Sequence, residues 1–318
     1  MAKSRPHNQI SIRTRALVLS LCLCRLPAWS QEAALTTEEQ PAPDLSWMEE
    51  VPFPTPGEVA PLAPCRLNYS ISWSKFLEMG NASISLSPQI DRRRLDQTLG
   101  FLQSTTIKNM PDNLIAGRAT GSTTGLGRFT WRYDCDILSV IDPVRLRPKA
   151  LHFHEAGKSG QTDFYGEFSK TRFRSYRDKN RESEEGKKPR SLTYSGLPAP
   201  LDLLSAILYL RSLPLEVGDE TKLVVCPNEH PYLIKVKVEA HEEHVAEDGT
   251  HDAIRLAIGM KKIRKTLELE PHEKFKKATV WLAKGDHRLP IEIRAEIFVG
   301  SVRVVLKDYQ ELKPLPTP

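Results

Sequence analysis

Two histidine pairs are the first residues whose types and spacing bear on chemistry. His152-Phe153-His154 places two imidazoles on one face of a strand. A metal site needs three or four ligands at suitable spacing. No third ligand follows nearby, so a surface pair is expected and no metal is assigned. His241-Glu242-Glu243-His244 loosely echoes a zinc-protease motif. That motif sets its histidines four apart on a helix with the glutamate between them. Here they are three apart within a strand-and-hairpin pattern, and the motif is rejected.

The remaining candidates fail in similar ways. Gly157-Lys158-Ser159 lacks the phosphate-loop glycine five residues earlier, where His152 stands. Gly121-Ser122-Thr123-Thr124-Gly125 lacks the central serine of a nucleophile elbow and reads as a flexible turn. Ser205 follows Asp202 by three residues, with no histidine close in sequence. The basic clusters at 261–265 and 274–277 suit a solvated hairpin better than a site for lipid headgroups or polysaccharide. The sequence therefore assigns no catalytic residue, no metal and no cofactor, and the expectation is that the protein is not an enzyme.

Charge removes another class. The 318 residues carry 45 Lys and Arg against 40 Asp and Glu. Five of the basic residues (Lys3, Arg5, Arg13, Arg15 and Arg25) lie among the first thirty, which hold no acid. The rest of the chain is neutral, so no global positive field points to nucleic acid. No apolar run reaches the roughly 18–20 residues that cross a bilayer as a helix.

The N-terminus has the layout of an export signal. A basic stretch precedes the apolar run 16–24, followed by small residues at Ala28 and Ser30. Cleavage is expected between Ser30 and Gln31. Leu21 and Leu23 precede Cys22 and Cys24, so a lipoprotein signal is not expected. Residues 31–64 read as an acidic, proline-rich linker with seven prolines between 41 and 64, extended or disordered, in which Trp47 and Phe53 are candidates to dock on the folded domain. Beyond the leader stand Cys65, Cys135 and Cys226, an odd and scattered set read as buried thiols.

The elements that must position any site are mostly strands. Leu67, Tyr69, Ile71 and Trp73 alternate with polar residues, as do Tyr232–Ala240, Leu289–Ile297 and Val302–Leu306. Such one-sided strands suit an antiparallel sheet with one wet face. Asp248-Gly249, Gly300-Ser301 and residues 284–287 mark turns. Residues 200–211 instead show helical spacing and are apolar almost all round, which predicts a buried helix covering or plugging a sheet. A weaker helix is expected over 91–104, and a solvated charged loop over 177–190. The fold class is mainly β: a single large antiparallel curved sheet or barrel-like domain over 65–312 with one buried apolar helix, followed by a short tail at 313–318.

Four blocks together resemble a bacterial exported family, domain of unknown function 3108. They are Leu67-x-Tyr69-x-Ile71-x-Trp73 with Gly80; Ser139-Val140-Ile141-Asp142; Asp202-x-Leu204-Ser205-Ala206-x-x-Tyr209-x-Arg211 with Pro214-Leu215 and Gly218; and Val280-Trp281-Leu282, Asp286, Arg288-Leu289-Pro290 and Gly300. The resemblance spans about 65–306. It implies an antiparallel, barrel-like fold and a periplasmic or cell-envelope location, and no known activity.

The same blocks supply a candidate polar and aromatic cluster: Asp202, Tyr209, Arg211, Trp281, Asp286 and Arg288. Trp281 and Tyr209 are expected to pack helix to sheet, and Asp202 or Asp286 to pair with Arg211 or Arg288. The leading functional expectation is non-enzymatic binding or carrying of an apolar or amphipathic envelope molecule. The alternatives are an envelope protein that binds a protein partner and an envelope hydrolase without a recognisable motif. A cavity above about 300 Å³ beneath the helix would favour the first, and a filled interior the second.

Overall fold

Alternating inward and outward residues produce one antiparallel sheet of fifteen strands, curved but not closed by hydrogen bonds. The computed structural model describes residues 44–59, 62, 64–74, 77–87, 99, 114–179, 190–247, 249–273, 275–285, 287–297 and 300–312. The expected cleavage site at Ser30 and Gln31, Asp248, Asp286 and the tail lie outside the described residues. So does most of the expected helix over 91–104, of which Leu99 alone is described, helical and fully buried.

The first half is a meander of β1 (Cys65–Trp73), β2 (Leu77–Ser87), β3 (Ile115–Thr123), β4 (Tyr133–Asp142), β5 (Arg147–Gly157), β6 (Gly160–Phe168), β7 (Arg172–Lys179) and β8 (Arg190–Ser195). The second half runs through β9 (Glu220–Val225), β10 (Tyr232–Ala246), β11 (Gly249–Ile263), the short β12 (Leu269–Pro271), β13 (Phe275–Ala283), β14 (Pro290–Ile297) and β15 (Ser301–Glu311). The first and last strands join the halves, with Cys65 opposite Glu311 and Trp73 opposite Val302. The free edges of the sheet are therefore β8 and β9, which are consecutive in the chain. Besides Leu99, the described residues hold two helices between strands: α1 (Gly125–Thr130), between β3 and β4, and α2 (Leu203–Ser212), between the two edges.

The edges meet through side chains. Phe153, Phe164, Phe173 and Tyr194 from one end of the sheet pack with Val224, Cys226, Leu233 and Ile263 from the other. Ser175 Oγ donates to the Glu229 carbonyl at 3.1 Å, and Tyr194 Oη lies 2.8 Å from His230 Nδ1. The edge of β9 is covered by the residues before α2: Leu201 N donates to Val224 O and Cys226 N to Leu201 O. This covers the C-terminal end of that edge strand.

Several details differ from the sequence reading. The turn at 121–125 is instead the end of β3 and the start of α1. Residues 177–179 and 190, expected within a loop, belong to β7 and β8, where Arg177 pairs with Arg190. Within the expected linker, the described residues 44–59 form a strap against the domain. Residues 46–48 form a 3-10 turn, Trp47 is buried in the seam, and its Nε1–H donates to Leu267 O at 3.0 Å. Phe53 stays half exposed beneath the Arg147 guanidinium, 5.0 Å from its ring centroid. Proline keeps this segment extended, but its N–H groups and aromatic side chains still find partners. A Cβ at Gly57 would stand 2.1 Å from Ser212 O, so the strap passes the helix end where only glycine fits.

Candidate functional site: a helix pinned at both ends across an apolar interior

The N-terminus of α2 is fastened to the sheet by Asp202. Its Oδ1 accepts from Ser205 N at 2.7 Å, and Ser205 Oγ accepts from Asp202 N at 3.0 Å, a reciprocal capping box. Its Oδ2 accepts from Ser139 Oγ on β4. Asp202 is wholly buried, and burial pushes its carboxyl above the usual range against the pull of these hydrogen bonds. Ser205, a candidate nucleophile only by type, is consumed by this cap.

The other end is held by two arginines. Arg211, 1% exposed, donates from Nε to His287 O at 2.9 Å and from Nη2 to the same oxygen. Arg288 answers from the β13–β14 turn: Nη1 donates to Leu213 O and Nη2 to Pro214 O at 3.2 Å. The turn thus receives a side chain from the helix and returns one to the carbonyls beyond the helix C-terminus. Burial lowers the Arg211 guanidinium to about 10, which leaves it charged at neutral pH.

Asp202 pairs with neither arginine, and Asp286, the other expected partner, lies outside the described residues. Asp202 sits at the opposite end of α2 from Arg211, about 13 Å away at 1.5 Å per residue. Arg211 and Arg288 bond to carbonyl oxygens, which every residue carries and no sequence pattern marks. Of the two aromatics expected to pack helix to sheet, Tyr209 does so against β9 and Trp281 does not touch the helix cluster. Tyr209 packs with Leu201, Ala206, Leu223 and Val225. Trp281 packs elsewhere. It stacks on His244 at 4.5 Å, lies under the Arg294 guanidinium at 4.7 Å and donates to Glu242 Oε1 at 2.9 Å. Its neighbour Glu292 has no exposure. Burial raises the Glu292 carboxyl, but hydrogen bonds from Arg303, Arg294 and His244 outweigh that and bring it down to about 2.

Between the pinned ends, α2 is buried except along one stripe. Leu203, Ile207 and Leu210 remain only half-buried, while Leu204, Ala206, Leu208, Tyr209 and Arg211 are buried. The three recur at the spacing of one helix face. They look onto two cavities of about 150 and 130 Å³. Both cavities are lined by Leu203, Ile207, Phe275, Pro290 and Ile293. The larger continues along β1–β4 past Ile71, Ile84 and Ile137, and the smaller along β9–β13 past Ile234, Ile258 and Met260. Several of these inward apolar residues, including Ile84, Ile234, Ile258, Ile293 and Val304, are likewise only half-buried. A well-packed core would have closed on them. Neither cavity alone reaches 300 Å³, yet the interior is not filled.

Other candidate residues are structural. His152 Nε2 and His154 Nδ1 both converge on Asp163 Oδ1, at 2.8 and 3.0 Å, so the expected surface pair is a half-buried bridge between β5 and β6. Among the described residues no group of three or more His, Cys, Asp or Glu is arranged to hold a metal ion. His241 bonds to Leu215 O and His244 to Glu292, both from strand β10, as rejection of the protease motif requires. The three cysteines are free and buried, and burial raises Cys65 to about 11 and Cys135 to about 12. Such thiols are inert. Phe275, Ile293 and Ser139 were not singled out for the site by sequence; Ile293 carried a strand-alternation signal and Ser139 sat in a family block, but neither marks a wall or a clamp.

Comparisons with known proteins place the chain without assigning an activity. A crystal structure of a beta-barrel-like protein of domain of unknown function DUF1849 from Brucella abortus is 8% identical, with a TM-score of 0.49, over 80% of this chain and 100% of that one. A Bacteroides fragilis protein of YmcC-like fold, described as exported, is 7% identical with a TM-score of 0.29, over 81% and 99% of the chains. A protein described as a lipoprotein, from Parabacteroides distasonis, is 6% identical with a TM-score of 0.28, over 80% and 99%. No curated protein sequence matches. No helix among the described residues is long and apolar enough to cross a membrane. The profile of the protein of unknown function family DUF3108 matches residues 102–307, and the chain belongs to that family.

Proposed function

We propose that this is a non-enzymatic cell-envelope protein whose curved sheet binds or carries an apolar or amphipathic envelope molecule against α2. The observation that carries the reading is the half-buried stripe Leu203, Ile207 and Leu210 facing two apolar cavities with shared walls. Under-packed apolar surface inside a fold that otherwise buries its core is the ordinary signature of a ligand site. A slender alkyl chain fits two narrow spaces flanking one helix face better than a bulky ring system does. The signal-like N-terminus supports export to the envelope.

Native mass spectrometry of the chain purified from an envelope extract tests the reading, followed by denaturing extraction. A defined apolar mass released on denaturation is expected. Titration with N-phenyl-1-naphthylamine provides the second arm. The probe should brighten with the native chain, and Ile207→Trp, which fills the shared wall, should weaken its binding at least tenfold. An apo mass together with no probe binding would overturn the proposal and favour a protein-partner role.

A further inference from the structure

The helix α1 is an exposed apolar knob on a rigid base. Leu126 is 67% exposed and Phe129 83%, and Leu77 at the start of β2 is 41% exposed. These are costly places for large apolar side chains unless something covers them. The knob is not loosely attached. Thr124 N donates to Met79 O at 2.9 Å, and Trp131 N donates to Gly127 O at 2.8 Å. A Cβ at Gly127 would stand 2.4 Å from Met79 O, so the helix lies directly on the β2 backbone. Lys158 Nζ ties its last turn to the neighbouring hairpin through Thr130 O at 3.0 Å.

The surroundings of the knob are aromatic and basic. Trp131 stacks on Tyr133 at 5.1 Å. Residues 125–132 hold Arg128 and Arg132 and no acid. With Lys158 they bring three cations, and the carboxylate in contact with the two arginines is Asp134. Aromatic rings with a polar edge, apolar side chains and cations on the same short helix are the features that settle at an anionic bilayer surface.

The knob is also continuous with the interior. Met79 beneath it packs in one cluster with Ile71, Ile297 and Val302, joined by Trp73 and Trp131. Ile71, Ile297 and Val302 are at the same time wall residues of the larger cavity. We propose that Leu126 and Phe129, with Arg128, Arg132 and Lys158 around them, form a docking surface for an anionic lipid bilayer at the end of the sheet next to that cavity. This extends the cavity reading by naming where an apolar ligand would be exchanged, and its test does not use the cavity.

The test places a tryptophan at Phe129→Trp in the full chain and reads its added emission, relative to the native protein, on vesicles of phosphatidylethanolamine and phosphatidylglycerol with brominated acyl chains. Val144→Trp is the control. Val144 is 72% exposed in the turn after β4, whose other end adjoins the knob. Emission from position 129 should be quenched at least twofold more than that from 144. Leu126→Ser combined with Phe129→Ser should reduce vesicle binding about tenfold. Equal quenching at the two positions, no binding to these vesicles, or a double variant that changes self-association and leaves vesicle binding intact would each overturn the proposal. N-phenyl-1-naphthylamine binding by the same variants reports separately on the cavity, so loss of one reading leaves the other standing.

Discussion

The ends and the middle of α2 are built from different chemistry. At the ends polar side chains make directional bonds: Asp202 with Ser205 and Ser139, Arg211 with His287 O, and Arg288 with Leu213 O and Pro214 O. In the middle, one face packs fully through Leu204 and Leu208, and the other leaves Leu203, Ile207 and Leu210 half-buried over cavities. The contrast shows how a fold can keep empty apolar space without losing its shape. Directional bonds fix where the helix lies, so the interior need not collapse onto it. An interior held by apolar packing alone would relax to fill such voids.

Breaking the packed side and the clasp should have the largest effects. Arg211→Ala leaves His287 O without its donor and a void in place of a buried side chain, and is expected to cost about 2–5 kcal/mol in urea unfolding. Leu208→Ala on the packed face should cost about 2–5 kcal/mol by the same assay. Either variant at wild-type stability would mean that the helix is not held as described.

The cap gives a smaller effect with a pH signature. Asp202→Ala should cost about 1–2 kcal/mol through the lost cap. Because burial raises the folded carboxyl above its unfolded value of about 3.9, the group favours the native state most fully below about pH 4. Its contribution is lost as pH rises through the folded value. Asp202→Asn keeps the Oδ1 acceptor and stays neutral. Unfolding midpoints measured upward from pH 4 should therefore fall less steeply in Asp202→Asn than in the native chain.

The smallest effects sharpen the contrast. Ile207→Ala, on the stripe, should cost less than about 1.5 kcal/mol, well under the Leu208 value, because its side chain already borders empty space. Ile207→Phe should be neutral or stabilising where overpacking a filled core would cost about 1–3 kcal/mol. A Phe variant destabilised by that amount would show that the stripe faces a packed core.

Much of this was legible in the sequence. Period-two alternation marked β1 and β14 at nearly their observed bounds and the first parts of β10 and β15, because a strand on a half-wet sheet leaves its pattern in consecutive residues. Helical spacing and all-round apolarity marked α2, with Asp202 at its start, for the same local reason. The strap over 44–59 was legible only through Trp47. Its prolines spoke for an extended path, and nothing local said that the path would be pinned to the seam and to Ser212.

The sequence by itself determined the predominance of strands, the buried helix and the burial of Cys65, Cys135 and Cys226. These follow from residues near one another in the chain. The tertiary structure decided that Arg211 reaches His287 O across 76 residues, that Trp281 and Tyr209 never meet, and that Leu203, Ile207 and Leu210 look onto space left open by β1–β4 and β9–β15. Backbone carbonyls are the same in every residue, and an unfilled volume belongs to no residue at all, so neither is written in a pattern of side chains.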